Sequence, residues 1–235
     1  MSFQYKYEIH CHTSEGSVCG KVSAKQIVEF YAEKKYAGIV ITDHFTGSTT
    51  VPKHYKWKDR VDHFFTGFEA AKAEGDKCGL DVFASLEYSD RGNDFLFYGA
   101  GKEFLLENPD MRDIGLPSLL KRVRDAGIFI IHAHPFLQAD WIPEIKLVPE
   151  FTDAVQVTHS GSRPPSAAEA LDRRARWYAD EYGLIKVGGS DTHHFDRLRL
   201  SGIAAERKAK DIMDLVAMIK EGKTEVIKPE YVNEE

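Results

Sequence analysis

Residues 127–135 read GIFIIHAHP. A glycine opens the stretch, four apolar residues follow without a polar break, and two histidines flank an alanine before the proline. A short run that is apolar at every position is the pattern of a strand buried on both faces, as in a parallel sheet covered by helices. The histidines then stand at the strand's carboxyl end. Related stretches recur along the chain: YEIHCH (7–12), GIVITDH (38–44), VFASLE (82–87), AVQVTH (154–159) and LIKVGGSD (184–191) each end an apolar run on histidine or carboxylate.

Working outward, strands are expected over residues 5–9, 38–42, 82–86, 95–99, 128–131, 154–158 and 184–188. Helical patterns lie between them. Ser23 is placed to cap a helix over 24–35, Pro117 to open one reaching 126, and Ser166 to cap one over 167–182. A last helix is expected near 209–221, and Gly127 and Gly183 stand where helices end. Alternation of strand and helix implies a parallel sheet, either open or closed into a barrel, and periodicity does not choose between them.

Composition sets the frame. The 235 residues are 43% hydrophobic and 29% charged, suited to one soluble domain over residues 1–235. No apolar run approaches the ~18 residues of a membrane span, and the opening MSFQYKYEIH lacks the apolar centre of a secretory leader. Cys11, Cys19 and Cys78 do not form a disulfide framework, so a cytoplasmic location is expected. A net charge of -6 disfavours a nucleic-acid partner.

The placement of the histidines points to chemistry. Of ten, eight (His10, His12, His44, His132, His134, His159, His193 and His194) lie at or just after the carboxyl end of an expected strand. Those ends converge on one face of a parallel fold. Imidazole and carboxylate together suit zinc, manganese or iron. His10 and His12 sit two apart on an extended segment and so point the same way, and Glu87 is a carboxylate able to bridge two cations. Taken singly, each motif has an ordinary alternative as a strand-end cap or solvated turn. Chance placement of the whole set on one face is far harder to arrange.

In this order HCHTSEG, ITDH, SLEYSD, HAHPF and GSDTHH resemble the PHP (polymerase and histidinol phosphatase) metalloesterases, particularly the stand-alone histidinol-phosphatase type. The motifs run from His10 to His193, nearly the whole chain. The resemblance implies a single-domain distorted TIM-like (β/α)7 barrel holding two or three divalent metal ions. It implies that His10, His12, Glu87 and Asp191 hold the first metal, and that Glu87 bridges to a second completed by His134 and Asp94. His44 and His193 would belong to a third. His132 falls outside the family's ligand position and is taken as a substrate-side residue. The sequence departs from the family at Ser17, where an aspartate is common, at Asp94 and at His159. Glu15, three residues past His12, is therefore expected to complete the third site, with Cys19 as its competitor.

The implied activity is hydrolysis of a small phosphorylated metabolite, a phosphomonoester that includes histidinol phosphate among its candidates. Two metals about 3.5–4 Å apart suit in-line displacement by a metal-activated hydroxide. His159, His193 or His194 would protonate the leaving alkoxide. Arg163, Arg91 and Lys21 are the expected phosphate contacts, arginine being suited to bidentate binding. The basic loop VPKHYKWKDR (51–60) reads equally well as a solvated loop and helix start. The alternatives are a nuclease or nucleotide phosphodiesterase, a metal-dependent amidohydrolase, and a non-catalytic metal-binding domain.

Overall fold

The structure is a computed structural model, and it describes residues 2–158, 164–196 and 198–232. The expected residues His159 and Arg163 lie outside the described residues. The chain is α/β, with its strands in two five-stranded sheets and a two-stranded ribbon. The first sheet contains β1 (Tyr5–Cys11), β2 (Gly38–Ile41), β3 (Asp81–Ala84), β10 (Ile203–Ala205) and β11 (Thr224–Val226), in the order β11-β10-β1-β2-β3. The second contains β4 (Glu87–Asp90), β5 (Asn93–Tyr98), β6 (Phe129–Ala133), β7 (Ala154–Gln156) and β8 (Ile185–Val187), in chain order. β9 (Arg199–Leu200) and β12 (Glu230–Tyr231) form the ribbon.

Helices α1 (Ala24–Glu33), α2 (Trp57–Phe64), α3 (Thr66–Cys78), α4 (Lys102–Glu107), α5 (Leu116–Asp125), α6 (Pro165–Tyr182) and α7 (Ile212–Lys220) separate or follow the strands. α1 starts on a capping box: the Gln26 amide donates to the Ser23 hydroxyl, and Gln26 Oε1 accepts from the Ser23 amide at 2.9 Å. α5 shows how these helices are held. Leu116, Leu119, Leu120 and Val123 fall on one stripe and are buried, each contributing about 1.5–3 kcal/mol by leaving water. They pack in one cluster with Phe95 and Phe97 of β5 and Ile130 of β6.

Two expectations need correction. The sheets are mixed, since β5 runs antiparallel to both β4 and β6. Asp90-Arg91-Gly92-Asn93 turns the chain directly from β4 to β5, with positive φ at Arg91 (55°) and Gly92 (83°). That is the conformation of a tight two-residue hairpin, which leaves no crossover for a parallel pair. Second, α6 begins at Pro165 with Pro164 at the cap position, so Ser166 lies inside the first turn. Proline's fixed φ suits that opening, and the helix ends on left-handed Gly183 as expected. Among the described residues no continuous ladder joins the two large sheets. The two large sheets meet through isolated bridges, His44 with Glu87 and Cys11 with Thr192. Among the described residues no helix is long and apolar enough to cross a membrane.

Candidate metal centre

The strand ends gather the predicted side chains at one place. Along β1, Tyr7, Ile9 and Cys11 enter the apolar clusters, while Glu8, His10 and His12 share the opposite side, as strand alternation requires. Glu87 opens β4, His134 follows β6 and Asp191 follows β8. Asp94 sits near the start of β5, and because β5 is antiparallel, its start reaches the end where the parallel strands finish.

Glu87 is the hub. Its Oε1 lies 3.3 Å from His10 Nε2 and 3.6 Å from His134 Nε2, and its Oε2 lies 3.3 Å from His12 Nε2 and 3.0 Å from His44 Nδ1. Asp191 Oδ1 stands 3.4 Å from His10 Nε2, 3.2 Å from His12 Nε2 and 3.4 Å from His193 Nδ1. Asp94 Oδ2 and Asp191 Oδ2 are each 3.9 Å from His134 Nε2. Both Glu87 oxygens, Asp94 Oδ1, Asp191 Oδ1 and His44 Nδ1 are buried without a hydrogen-bond partner. Leaving a buried charged acceptor unsatisfied costs several kcal/mol, so these atoms call for cations.

The histidines are oriented to offer lone pairs inward. Gln156 Nε2 donates to the carbonyls of Thr158 (3.1 Å) and Gly189 (3.0 Å), which fixes its Oε1 as the acceptor for His10 Nδ1 at 2.8 Å. His10 Nε2 is then the free nitrogen. The Ser17 hydroxyl donates to Asp43 Oδ1 at 2.7 Å and so accepts from His12 Nδ1 at 3.3 Å. His193 Nδ1 donates to the Asp191 carbonyl at 2.9 Å. With both Nδ1 atoms donating outward, His10 and His12 present their Nε2 atoms to each other 3.0 Å apart, close enough to share a proton or to hold one cation together. Outer contacts of this kind tune metal affinity. Gln156→Leu is expected to weaken metal binding about 10–100-fold while the fold persists, measurable by competition with a chromophoric chelator.

Charge without a metal is distributed accordingly. Burial opposes a proton on His10, but Asp191 and Glu87 outweigh it and raise its pKa to about 10. Burial and the neighbouring His193 hold His12 down to about 3. Burial works against ionised Glu87, yet His44 and His10 keep its carboxyl well below the usual range. Cys19 is pushed up to about 12 by burial and by Glu87 and Asp191. A bound dication inverts such effects and favours deprotonated ligands.

Ligand atoms fall into four overlapping groups, each within 4.8 Å: His10, His12 and Glu87; His10, His134 and Asp191; Glu87, Asp94 and His134; and His12, Cys19, His44 and His193. The last replaces Glu15 by Cys19. Glu15 instead accepts from the Ala24 amide at 3.0 Å, closing the amino end of α1, where a carboxylate is favoured by the helix's free N–H groups.

Two substrate-side expectations also change. His132, on β6, stacks on Phe95 at 4.6 Å and meets the edge of Tyr178, and it does not line the cavity. Burial and His134 lower its pKa to about 3, so it is a core imidazole. Lys21 is exposed and donates to the Val18 carbonyl at 2.9 Å, outside the cavity. Arg91, His193 and His194 do line that cavity, which measures about 740 Å³. Among the described residues, non-glycine positive φ occurs at Lys35, Arg91, His134 and Asp191. The last three line the cavity, so backbone strain of roughly 1–3 kcal/mol per residue gathers at this site.

Sequence reasoning missed the supports. Glu8 is fully buried and accepts from the amides of Ile9 (3.0 Å), His10 (2.8 Å) and Ser190 (2.9 Å) and from the Tyr31 hydroxyl (2.9 Å). It ties the His10 strand to the segment carrying Asp191. Asp43 accepts from the Thr13 amide, the Thr13 hydroxyl and the Ser17 hydroxyl. Space around it is tight, since a Cβ on Gly16 would meet Asp43 Oδ2 at 2.2 Å. Glu8 and Gln156 were detectable as polar residues inside otherwise apolar runs, YEIHC and AVQV.

No protein-family model matches the chain, and no curated protein matches it. Solved structures do. A two-domain protein from Bacteroides vulgatus, containing a "predicted PHP-like metal-dependent phosphoesterase", superposes with a TM-score of 0.69 at 14% identity over 96% of this chain. This chain spans 65% of that protein. A protein from Bifidobacterium adolescentis assigned as a metal-dependent phosphoesterase gives 0.50 at 16% identity, covering 81% of this chain and 88% of the other. An amidohydrolase from Chromobacterium violaceum with bound sulfate gives 0.50 at 15%, covering 80% and 87%. The fold of this chain is that of the PHP-like metal-dependent phosphoesterases.

Proposed function

We propose that this chain is a metal-dependent phosphomonoesterase acting on a small phosphorylated metabolite, histidinol phosphate being one candidate. The observation that supports it is Glu87, whose two unpaired buried oxygens stand among four imidazoles on the floor of an open cavity. On this reading residues 1–235 form one domain, the two sheets are halves of a distorted (β/α)7 barrel, and the protein works in the cytoplasm. A reducing compartment keeps the free thiols of Cys11, Cys19 and Cys78 intact.

His10, His12, Glu87 and Asp191 would hold one ion, Glu87, Asp94 and His134 a second, and Cys19, His44 and His193 a third. Zinc, manganese or iron bound there would activate water and neutralise phosphoryl oxygens. The chain's own residues do the rest. Arg91 is the one lysine or arginine among the described residues lining the cavity, and its guanidinium would grip the phosphate in bidentate fashion. His194 lines the cavity but belongs to none of the four ligand groups, which leaves it free to protonate the leaving alkoxide. His193, by contrast, is committed to the third ion.

The same barrel chemistry serves diesters and amides, so substrate choice is the test. Metal-loaded protein should turn over p-nitrophenyl phosphate at least about tenfold faster, in kcat/KM, than bis(p-nitrophenyl) phosphate or a p-nitroanilide. Preference for either of the latter would replace the proposal with a phosphodiesterase or an amidohydrolase.

Ligation of the third ion is checked separately. Cys19→Ser should lose about one metal per chain, whereas Glu15→Ala should keep the metal count and lower stability by about 1 kcal/mol, the worth of a helix cap. The opposite pattern by elemental analysis would restore Glu15 as the ligand.

A further inference from the structure

Helix α6, at 18 residues the longest among the described residues, docks on the rest of the chain by one stripe. Ala168, Asp172, Ala175, Tyr178 and Ala179 are buried along it, and the last three pack with Phe136, Val155 and Val157. The opposite side faces solvent, and on it Trp177 is 54% exposed. A lone exposed apolar side chain is ordinary. The neighbours of this one are not. At 3.6 residues per turn, the positions sharing a face with Trp177 are those three and four away in each direction. Toward the amino end these are Arg173 and Arg174, toward the carboxyl end Asp180 and Glu181, and all are exposed. The indole therefore sits between a pair of cations and a pair of carboxylates.

Within the chain these charges are only partly used. Arg174 lies over the ring of Phe136 at 4.5 Å, and Asp180 pairs with Lys186. Arg173 and Glu181 have no ion-pair partner among the described residues. Such a face is complementary to its own copy. When two α6 helices pack antiparallel about a two-fold axis beside Trp177, the residues before the tryptophan in one copy meet those the same distance after it in the other. Arg173 and Arg174 of each copy then stand against Asp180 and Glu181 of the other, with the two indoles packed between them. A parallel arrangement would set arginine against arginine and carboxylate against carboxylate, so the charges choose the direction. Nucleic acid or an anionic lipid surface fits this face poorly, because phosphate rewards a basic surface and half of the charge here is carboxylate.

We propose that the exposed face of α6 is a self-association surface, through which two copies of this chain form a two-fold dimer with antiparallel α6 helices packed at Trp177. The indole supplies apolar area, about 150–250 Å² for each copy if fully covered, and the charges around it fix the register. An isologous contact of this kind closes on itself and stops at a dimer. One helix against its copy lies at the low end of interface size, below about 1,200 Å², so the dimer is reversible and depends on concentration. Neither Trp177 nor the charges beside it line the cavity, and the surface is separate from the metal centre.

Sedimentation velocity over about 1 μM to 1 mM protein should show a monomer–dimer equilibrium that weakens as salt screens the exposed charges. Trp177→Ala should weaken it at least about 30-fold, the loss at an interface hot spot. Two charge variants give the sharper reading. Arg173→Glu with Arg174→Glu makes the face wholly acidic, and Asp180→Arg with Glu181→Arg makes it wholly basic. Each variant alone should be monomeric, while an equimolar mixture of the two should form a heterodimer, a rescue that a merely structural role would not produce. All of these positions are exposed, so the fold should persist, with circular dichroism as the check. Should a charge variant fail to fold, the response of the dimer to Trp177→Ala and to salt decides. A monomer at every concentration overturns the proposal, as does a dimer indifferent to Trp177→Ala, and either leaves the face to a partner of another kind. Folded variants whose mixture stays monomeric overturn the antiparallel pairing.

Discussion

Glu87→Gln is expected to leave a folded protein that has lost about two metals per chain and more than about 100-fold of its hydrolysis. Removing an outer contact to a metal ligand costs about 10–100-fold in affinity or activity, and Glu87 is itself proposed as the shared carboxylate. Its two oxygens face His10, His12, His44 and His134 at 3.0–3.6 Å. The neutral amide keeps the shape but offers only one acceptor and no charge, so two cations can no longer be bridged. Folding should survive, because the substitution removes a buried charge whose oxygens have no hydrogen-bond partner. Elemental analysis, circular dichroism and kcat/KM on one preparation check all three statements. Near-normal activity would remove Glu87 from the centre of the site.

The largest stability effect is expected from Glu8→Ala, at a residue that touches no metal ligand side chain in the hydrogen bonds described above. Three buried amides, those of Ile9, His10 and Ser190, would lose their acceptor together. Each orphaned donor costs about 1–3 kcal/mol, so the loss should reach at least about 3 kcal/mol. For a chain of this size that lowers Tm by about 6–12 °C. Metal affinity should fall as well, because Glu8 ties the His10 strand to Ser190, the neighbour of Asp191. A change under about 1 kcal/mol in thermal or urea unfolding would show that these amides find other acceptors.

What was legible in the sequence follows from which interactions are local. Apolar runs such as GIVI and IFII mark buried strands, because a strand covered on both faces has no position free for a polar residue. The same rule made the carboxyl ends visible, since the first histidine or carboxylate after such a run marks where the apolar strand stops. The hairpin at Asp90–Asn93 was hidden by that success. The flanking residues read as one more pair of parallel strands, although Arg91-Gly92 carries the turn. His132 was misplaced because HAH supplies two histidines that a regular strand would point the same way, whereas the chain leaves β6 at Ala133 and His134 takes a positive φ of 29°. Glu15 and Cys19 lie in a single irregular loop, where spacing along the chain carries no information about direction. There the free amides of α1 captured the carboxylate and left the thiol beside His44 and His193. Gln156 and Glu8 act across sequence separations of 146 and 182 residues, on His10 and Ser190 respectively, and only the folded chain reveals such partners.

The central claim is that buried Glu87, Asp94 and Asp191 and their surrounding imidazoles are a hydrolytic metal centre. Metal content and p-nitrophenyl phosphate hydrolysis, measured on one purified sample before chelation, after it and after metal is returned, address that claim most directly. The expected result is at least two divalent ions per chain, activity lost with their removal, and activity regained on adding zinc, manganese or ferrous iron. Full activity in protein holding less than one ion per chain would contradict it.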